Sequence, residues 1–357
     1  MPAHLPALDG LRGVAVLTVM SSHFFQQAVG EATTPSGRLV QSGWLGVDLF
    51  FVLSGFLITG RLLDTREREN YFKNFYAKRS LRIFPLYYAA LALVFGVAAF
   101  RGVAARGWDG PLWYLVYASN VAIVGAGRFL MPVAGFTLNH FWSLAVEEQF
   151  YLVWPMVVRW LSRGLLAGLC LAIVASATPL RMWADESTGA AFASYVLMPL
   201  RLDGLAMGAL VALAVRRWPF TRWRGPALLA AIAFGGLLVE VLAFDLTRWQ
   251  WRGTFSCLLF GAVLVASLPS TGALARLLSL RALRWCGVRS YGLYVFHHLF
   301  KLGWMLTLKP VRLVEWLGPV GGAGLYALGA GLGSAALAAA SWRWFEKPVL
   351  RWKARFE

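Results

Sequence analysis

The amino-acid sequence predicts an all-α protein, a polytopic bundle of transmembrane helices. Of its 357 residues, 59% are hydrophobic and only 14% are charged. The apolar residues are gathered into long runs, most of which are long enough to cross a bilayer as helices. Segments in which apolar and polar residues alternate, as half-buried strands require, are not evident in the sequence.

Ten hydrophobic segments are predicted to cross the membrane. A further run at 111–125 is short for a crossing, and we expect it to be interfacial, re-entrant or an eleventh span. No internal repeat and no linker long enough to bound a second domain is evident, so residues 1–357 are expected to form a single membrane domain. The ten predicted spans are 7–28, 44–63, 82–100, 141–161, 165–180, 199–216, 226–244, 254–269, 291–308 and 322–344.

Basic residues set the expected orientation of these spans. The chain has 34 Lys and Arg against 17 Asp and Glu, and the positive charges lie in short loops between apolar segments. The positive-inside rule therefore explains them better than a nucleic-acid partner does. Residues 61–82 include seven Lys and Arg, so we expect this loop, and with it the N-terminus, to be cytoplasmic. An eleventh span at 111–125 would move three later basic clusters outside, which favours ten.

The first segment carries the most informative polar residues. Arg12 and His23 are eleven residues apart, three helical turns, so they share one face and lie about 16 Å apart along the axis. Asp9 is on the same stripe, one turn before Arg12. A deeply placed imidazole is costly in a membrane unless it has a function, and we predict an active site along this helix face. The three cysteines show no metal-ligand spacing, and no metal is predicted.

A second basic pair precedes the third predicted span. Arg79 and Arg82 in the segment KRSLR are three residues apart and share a helix face. Arginine side chains suit bidentate phosphate binding, so this pair could hold a phosphorylated nucleotide. The alternative is an orientation signal whose side chains reach lipid head groups.

Carboxylates inside the predicted spans are the next candidates. Asp48 lies near the outer end of the second span, where a membrane carboxylate usually faces a polar cavity, and we expect it to bind substrate. Glu147 and Glu148 lie about 10 Å into the fourth span, and adjacent helical residues point about 100° apart. At most one of them therefore faces a given cavity squarely. Either could orient an imidazole or hold a sugar hydroxyl, unless the pair is structural.

Other polar residues in the spans are interpreted as structural first. Arg201 and Asp203 at the head of the sixth span predict an ion-pair network at the membrane edge. The segment SYGLYVFHH is interpreted as hydrogen-bonded core, with function as the alternative. His4 and His140 stand at segment edges and indicate nothing. In that segment Tyr291, Tyr294 and His298 are at helical spacing, and His297 is adjacent to His298.

Six motifs in order give the chain a specific resemblance to the acyltransferase-3 family of bacterial integral-membrane O-acyltransferases. The resemblance covers nearly the whole chain. In that family an Arg or Lys, ten residues and a His form the functional signature, which Arg12 and His23 match. The family's Arg-x-x-Arg pair matches Arg79 and Arg82. The motifs are LDGLRGVAVLTVMSSHF, GVDLFFVLSGFLI, AKRSLRIFPLYY, FWSLAVEEQFYLVWP, SYGLYVFHH and WFEKPV.

The resemblance implies a bacterial inner-membrane enzyme that moves an acyl group, commonly acetyl, from acyl-CoA to a hydroxyl of a carbohydrate, a glycolipid or another acceptor. Some members carry a C-terminal SGNH hydrolase-like domain. Nothing after Glu357 supplies one here, so we expect the stand-alone form. Membrane lipids are expected around the bundle.

These expectations combine into a hypothesis for the mechanism. Arg79, Arg82 and Arg12 would bind the phosphates of cytoplasmic acyl-CoA, and its long arm would run along the first helix. His23 would act as general base on an acceptor hydroxyl, since imidazole titrates near neutral pH. Glu147 is expected to orient His23, with Asp48 and Glu148 binding substrate. An acyl-histidine intermediate is the alternative chemistry.

A transporter or flippase for a polar or lipid-linked substrate is the competing function. Buried Asp, Glu and His residues also form proton relays in transporters. Secondary transporters usually show internal symmetry, however, and none is evident in this sequence.

Overall fold

The computed structural model of the protein describes residues 5–31, 34–188, 193–218, 224–244, 249–268 and 272–356. Within these ranges the regular structure is helical, apart from one isolated bridge between Val133 and Phe136. The prediction of an all-α protein is therefore confirmed.

Every predicted span coincides with helix over most of its length. Among the described residues, four segments are long and apolar enough to cross a membrane by length and composition: Gly37–Thr65, Tyr71–Phe100, Arg163–Glu186 and Pro310–Phe356. The number of spans and the side of the N-terminus stay predictions. The main helices are Pro6–Val29, Gly46–Thr65, Tyr71–Phe100, Phe141–Trp160, Arg163–Thr188, Leu202–Arg217, Arg224–Phe244, Trp249–Ser267, Ser290–Leu299, Lys301–Leu308 and Pro310–Ser341.

Two predicted segments are broken. The run at 111–125 forms two short helices, Pro111–Leu115 and Ser119–Ala126, separated by Tyr117 with a φ of 53°. At about 1.5 Å per residue, neither can cross a bilayer core of roughly 30 Å by itself. The ninth predicted span, 291–308, is interrupted at Phe300, where one helix ends and the next begins.

The first helix lies at the centre of the bundle. It packs against Gly46–Thr65, Pro310–Ser341 and the short helix Arg281–Val288. Glycines permit the last of these contacts, since a Cβ atom on Gly287 would lie 1.7 Å from the carbonyl oxygen of Asp9. This close packing fixes the start of the first helix against Arg281–Val288.

Candidate active site

The predicted arginines converge on one cavity of about 430 Å³, which we call the basic cavity. Arg12 comes from the first helix, Arg79 and Arg82 come from Tyr71–Phe100, and Lys353 comes from the C-terminal turns. These four cations outnumber the two carboxylates that line the same space. The polar side chains lining the basic cavity are Asp9, Arg12, Ser54, Arg79, Arg82, Ser143, Glu147, Ser290, Tyr291, Tyr294 and Lys353.

A smaller cavity of about 170 Å³ adjoins the basic cavity and extends its positive charge. Arg79, Arg82 and Lys353 line both spaces. No Asp or Glu is among the described residues that line the smaller one. Its further lining includes cations and two aromatic rings from the end of Gly46–Thr65, the loop after it and the helix that follows: Arg61, Arg68, Tyr71, Phe75 and Lys78.

Glu147 and Glu148 fix the position of Arg79. Arg79 Nη2 lies 3.8 Å from Glu147 Oε2, and Arg79 Nε lies 3.9 Å from Glu148 Oε1. The Arg79 guanidinium also lies over the Tyr151 ring, 3.8 Å from its centroid. Ser54 Oγ donates a hydrogen bond of 2.5 Å to Glu147 Oε1. Only Glu147 of the two glutamates lines the basic cavity, as the 100° offset between neighbours predicts.

A second cavity, of about 480 Å³, contains the predicted base, and we call it the histidine cavity. Its lining combines imidazoles with amides, aromatic rings and one lysine. Its polar and aromatic lining residues are Ser22, His23, Gln26, Gln41, Trp44, Phe129, Asn139, His140, Trp142, Tyr195, Tyr294, His298 and Lys301.

The hydrogen bonds around His297 assign the proton of His23. His297 Nδ1 lies 2.7 Å from the carbonyl oxygen of Tyr294 and 3.2 Å from that of Leu293. Because a carbonyl oxygen only accepts, His297 Nδ1 carries the proton, and the neutral ring keeps an acceptor at Nε2. His23 Nδ1 lies 2.9 Å from His297 Nε2 and donates to it. Neutral His23 is therefore left with its lone pair on Nε2.

His297, rather than Glu147, is thus the side chain that orients His23. Glu147 lines the basic cavity and bonds Ser54, whereas the ring of His297, 274 residues along the chain from His23, is fully buried against it. The expectation that Glu147 holds His23 is not met by this geometry. Glu147 instead lies 3.8 Å from Arg79, and a catalytic role for it stays a prediction.

Three imidazoles come close enough to raise the question of a metal ion. One nitrogen each from His23, His297 and His298 lies within 4.8 Å of the others. The His23 and His297 planes differ by only 5°, with a nitrogen separation of 2.9 Å. Two nitrogens on one tetrahedral zinc would be about 3.3 Å apart. A direct hydrogen bond therefore accounts for the separation of these two nitrogens.

Two residues line both cavities. Val47 and Tyr294 are common to the linings of the basic cavity and the histidine cavity. The Tyr294 hydroxyl donates to the carbonyl oxygen of His140 at 2.9 Å and shares a hydrogen bond of 2.6 Å with Ser143 Oγ. Val47 and Tyr294 thus form a partition between the two spaces, and these hydrogen bonds hold Tyr294 in place.

Asp48 lines neither cavity. It is buried, accepts a hydrogen bond from Arg201, and accepts another from Ser256 Oγ at 2.7 Å. Nearby, Arg181 Nη1 donates to Asp203 Oδ2 at 2.9 Å. Arg201 and Asp203 therefore belong to a buried ion-pair network, and Asp48 joins it. Both oxygens of Asp48 are thus bonded within the protein, and substrate binding by Asp48 stays a prediction.

An ion pair outside the predicted spans fixes the loop that contributes Phe129 to the histidine cavity. Arg128 donates two hydrogen bonds to Asp109, of 3.1 and 2.8 Å, and the backbone N–H of Met131 donates a third at 2.8 Å. These bonds hold the pKa of the Asp109 carboxyl below its usual range. The carboxylate is thus charged at neutral pH, and Asp109 binds Arg128 before Phe129 and Met131 after it.

Three histidines in or beside the histidine cavity are not identified as site residues by the sequence. His297 and His298 were interpreted as core, and His140 as uninformative, yet all three rings lie within 6 Å of a neighbouring imidazole ring centre. The motif SYGLYVFHH was the one available signal, because it recurs in the family that the chain resembles. Lys301, three residues after His298, carried no motif of its own.

Several apolar helices, with a basic cavity beside a histidine cavity, define the class as a multi-pass membrane protein with polar cavities among its helices. The comparison with known families makes this class specific. The chain belongs to the acyltransferase-3 family, whose profile, described as an acyltransferase domain, matches residues 5–339. The resemblance found from the motifs is confirmed.

Curated relatives agree with this assignment. YrhL of Bacillus subtilis is 31% identical over 321 residues, which cover 83% of this chain and 48% of the relative. The peptidoglycan O-acetyltransferase OatA of Listeria monocytogenes is 28% identical over 338 residues, 83% of this chain and 49% of the relative. The O-acetyltransferase OatA of Staphylococcus aureus is 28% identical over 330 residues, which cover 83% of this chain and 50% of the relative. The chain thus spans about half the length of these relatives. No solved structure matches it.

Proposed function

We propose that this protein is a membrane O-acetyltransferase that moves an acetyl group from cytoplasmic acetyl-CoA to a hydroxyl of a cell-envelope carbohydrate. Family membership and relatives named as O-acetyltransferases support the class of reaction. The single observation that carries the mechanism is the hydrogen bond from His23 to His297, because it leaves His23 Nε2 as a base at the wall of the histidine cavity.

The donor is assigned to the basic cavity and its smaller neighbour. CoA carries several phosphate charges, and the two joined spaces present a set of cations that includes Arg12, Arg79 and Arg82. Tyr71 and Phe75 offer ring faces on which an adenine could stack. The acyl arm would extend from these cations toward Tyr294, with the thioester passing the partition to reach His23.

The acceptor is assigned to the histidine cavity. Aromatic rings such as Trp44 and Trp142 present apolar faces that suit the C–H face of a sugar ring. Gln26, Gln41 and Asn139 supply amide donors and acceptors for hydroxyl groups. Few charged groups and several polar ones on aromatic walls are typical of small-molecule sites.

The proposed transfer balances without any further reactant. His23 Nε2 takes the proton of the acceptor hydroxyl while the oxygen of that hydroxyl attacks the carbonyl carbon of the thioester. The C–S bond breaks, the acyl group stays on the oxygen, and the CoA sulfur leaves with the proton from His23. His297 Nε2 stabilises the transient imidazolium by accepting its Nδ1–H. General-base catalysis of this kind contributes on the order of 10²- to 10⁴-fold in rate. An acyl-histidine route would use the same Nε2 atom.

The first test is transfer by purified protein. In lipid nanodiscs with acetyl-CoA and cell-envelope glycans, thiol release should accompany a gain of one acetyl group in the glycan mass. His23→Ala should abolish both signals, while Ser21→Ala, at an exposed position of the same helix, should leave them unchanged. Glycan uptake into sealed proteoliposomes, without thiol release in either system, would favour a transporter instead. Wild-type transfer by His23→Ala would disprove the base.

The donor site has a separate prediction. Arg82→Ala should raise the KM for acetyl-CoA about tenfold and leave the KM for the acceptor nearly unchanged, since one charge-assisted hydrogen bond to a phosphate is lost. Arg106→Ala, at an exposed position in a loop, is the matched control. Initial-rate kinetics against each substrate in turn make the measurement. An unchanged KM for acetyl-CoA would return Arg82 to a role in membrane orientation.

A further inference from the structure

We infer that the acceptor carries an anionic group, and that Lys301 recognises it. This inference rests on the proposed function and deepens it by narrowing the substrate class to acidic sugars. The shared chemistry is a carboxylate or phosphate on a hexose ring, close to the hydroxyl that is acylated.

Lys301 is the charged residue of the histidine cavity. It is half-buried and lines the same space as His23 and His298. No Asp or Glu is among the described residues that line this cavity. Within the described ranges, Lys301 has no ion pair and no side-chain hydrogen bond. Its ammonium group thus faces a cavity whose walls supply no counter-charge.

Three arginines inside the bundle have carboxylate partners. Arg201 bonds Asp48, Arg181 bonds Asp203, and Arg79 lies between two glutamates. A cation that is partly withdrawn from water costs free energy unless an anion or several acceptors offset it. A negative group on a bound ligand would give Lys301 the counter-charge that protein carboxylates give to these arginines.

The rest of the cavity indicates what bears the negative charge. Its volume of about 480 Å³ lies within the range of roughly 300–1,000 Å³ typical of small-molecule sites. Aromatic faces and three side-chain amides suit a sugar ring better than an acyl chain, which would need apolar walls. Because Lys301 and His23 line one compact space, the anion and the reacting hydroxyl would belong to the same residue of the acceptor.

The test compares acidic sugars with neutral counterparts of nearly the same shape. Methyl glucuronoside and methyl galacturonoside carry the carboxylate, their methyl esters remove the charge, and glucose 1-phosphate represents the phosphate. Each is offered to the full-length protein in nanodiscs with acetyl-CoA, and kcat/KM is measured. Isothermal titration measures the binding of the same compounds without turnover.

Wild-type protein should prefer at least one acidic sugar over its neutral counterpart by on the order of 10- to 100-fold, the effect of one charge-assisted hydrogen bond. Lys301→Gln should lower kcat/KM for the acidic sugars more than for the neutral esters, by about the factor of the wild-type preference, and Lys301→Arg should keep most of that preference. Lys73→Gln, which exchanges an exposed lysine elsewhere, should behave as wild type. Whether uronosides or glucose 1-phosphate are preferred tells a carboxylate from a phosphate.

Two results would overturn the inference. One is equal use and equal binding of the acidic sugars and the neutral ones by the wild type. The other is a loss in Lys301→Gln that is the same for both, which would show a structural role or an effect on the base. If no sugar is acetylated but acidic ones still bind through Lys301, the proposed transfer fails while this inference stands.

Discussion

At the level of single residues, two successive hydrogen bonds, from His23 to His297 and from His297 to a backbone carbonyl, determine which nitrogen of His23 carries the proton. The Tyr294 carbonyl requires a proton on His297 Nδ1, and His297 Nε2 requires a proton on His23 Nδ1. His297 thus performs for His23 what a carboxylate performs in many hydrolytic sites, without bringing a negative charge into the membrane. A neutral orienting group suits a low-dielectric surrounding, where a lone carboxylate would be costly.

Removing this orienting ring should affect turnover more than binding. We expect His297→Ala to lower kcat by about 10- to 100-fold, less than the loss in His23→Ala, because His23 remains but its tautomer and orientation are no longer fixed. The KM for acetyl-CoA should hardly change. His297→Gln, whose amide oxygen can still accept from His23 Nδ1, should recover part of the rate. A purely structural role for His297 would instead lower the amount of folded protein and leave the kcat of that fraction intact.

Sequence reasoning reached part of the site at this scale. Spacing on one helix placed Arg12 and His23 on a common face, and both line cavities. The helical spacing of Arg79 and Arg82 was likewise sufficient to aim both into one space. His297 was out of reach, because a contact across 274 residues depends on tertiary packing that local periodicity does not encode. The same holds for Asp48, whose partner Arg201 is 153 residues away.

At the level of elements, glycines decide how closely the helices cross. Gly55 on Gly46–Thr65 and Gly208 on Leu202–Arg217 face each other's helices. A Cβ on Gly55 would lie 1.9 Å from the carbonyl oxygen of Leu205, and one on Gly208 would lie 2.0 Å from that of Val52. Backbone contact this close gives extensive van der Waals attraction, which drives helix association where the solvent is lipid.

The glycine crossing leads to a stability prediction with a built-in control. Gly55→Ala should destabilise the folded protein by about 1–3 kcal/mol, because the added methyl must push the two backbones apart. Gly96→Ala, in the helix Tyr71–Phe100 where no atom lies within 4 Å of a new Cβ, should leave stability unchanged or slightly higher. Thermal unfolding in detergent measures both. Equal Tm values for the two variants would argue against the crossing.

Hydropathy located the elements but not their breaks. The predicted span 291–308 contains two helices because the chain turns at Phe300, and nothing in the local sequence marks that position. The next break is indicated by the sequence, because Lys309 precedes Pro310 and the residue before a proline is disfavoured in the helical region of φ and ψ. Lys309 indeed adopts a φ of 48°, and the following helix begins at Pro310.

At the scale of the whole molecule, the two cavities lie one after the other along the first helix. Arg12 near its start lines the basic cavity and His23 near its end lines the histidine cavity. The helix Gly46–Thr65 runs antiparallel to the first helix. Val47 near its start lines both cavities, and Ile58 nearer its end lines the basic cavity and the smaller cavity. A donor and an acceptor approaching from opposite sides would therefore meet near Tyr294. Only the three-dimensional arrangement shows this, since the helices that form each cavity are scattered along the chain.

The orientation of this arrangement can be tested directly, and the donor route depends on it. If the basic loop is cytoplasmic, Lys73 faces the cytosol and Glu31, just beyond the end of the first helix, faces outward. In a variant lacking Cys170, Cys257 and Cys286, Glu31→Cys should react with a membrane-impermeant maleimide in intact spheroplasts, and Lys73→Cys only after permeabilisation. Both positions are exposed, so reaction of both in permeabilised membranes controls for access. The opposite labelling would place the basic cavity away from cytosolic acyl-CoA, and the arginines could then not bind that donor.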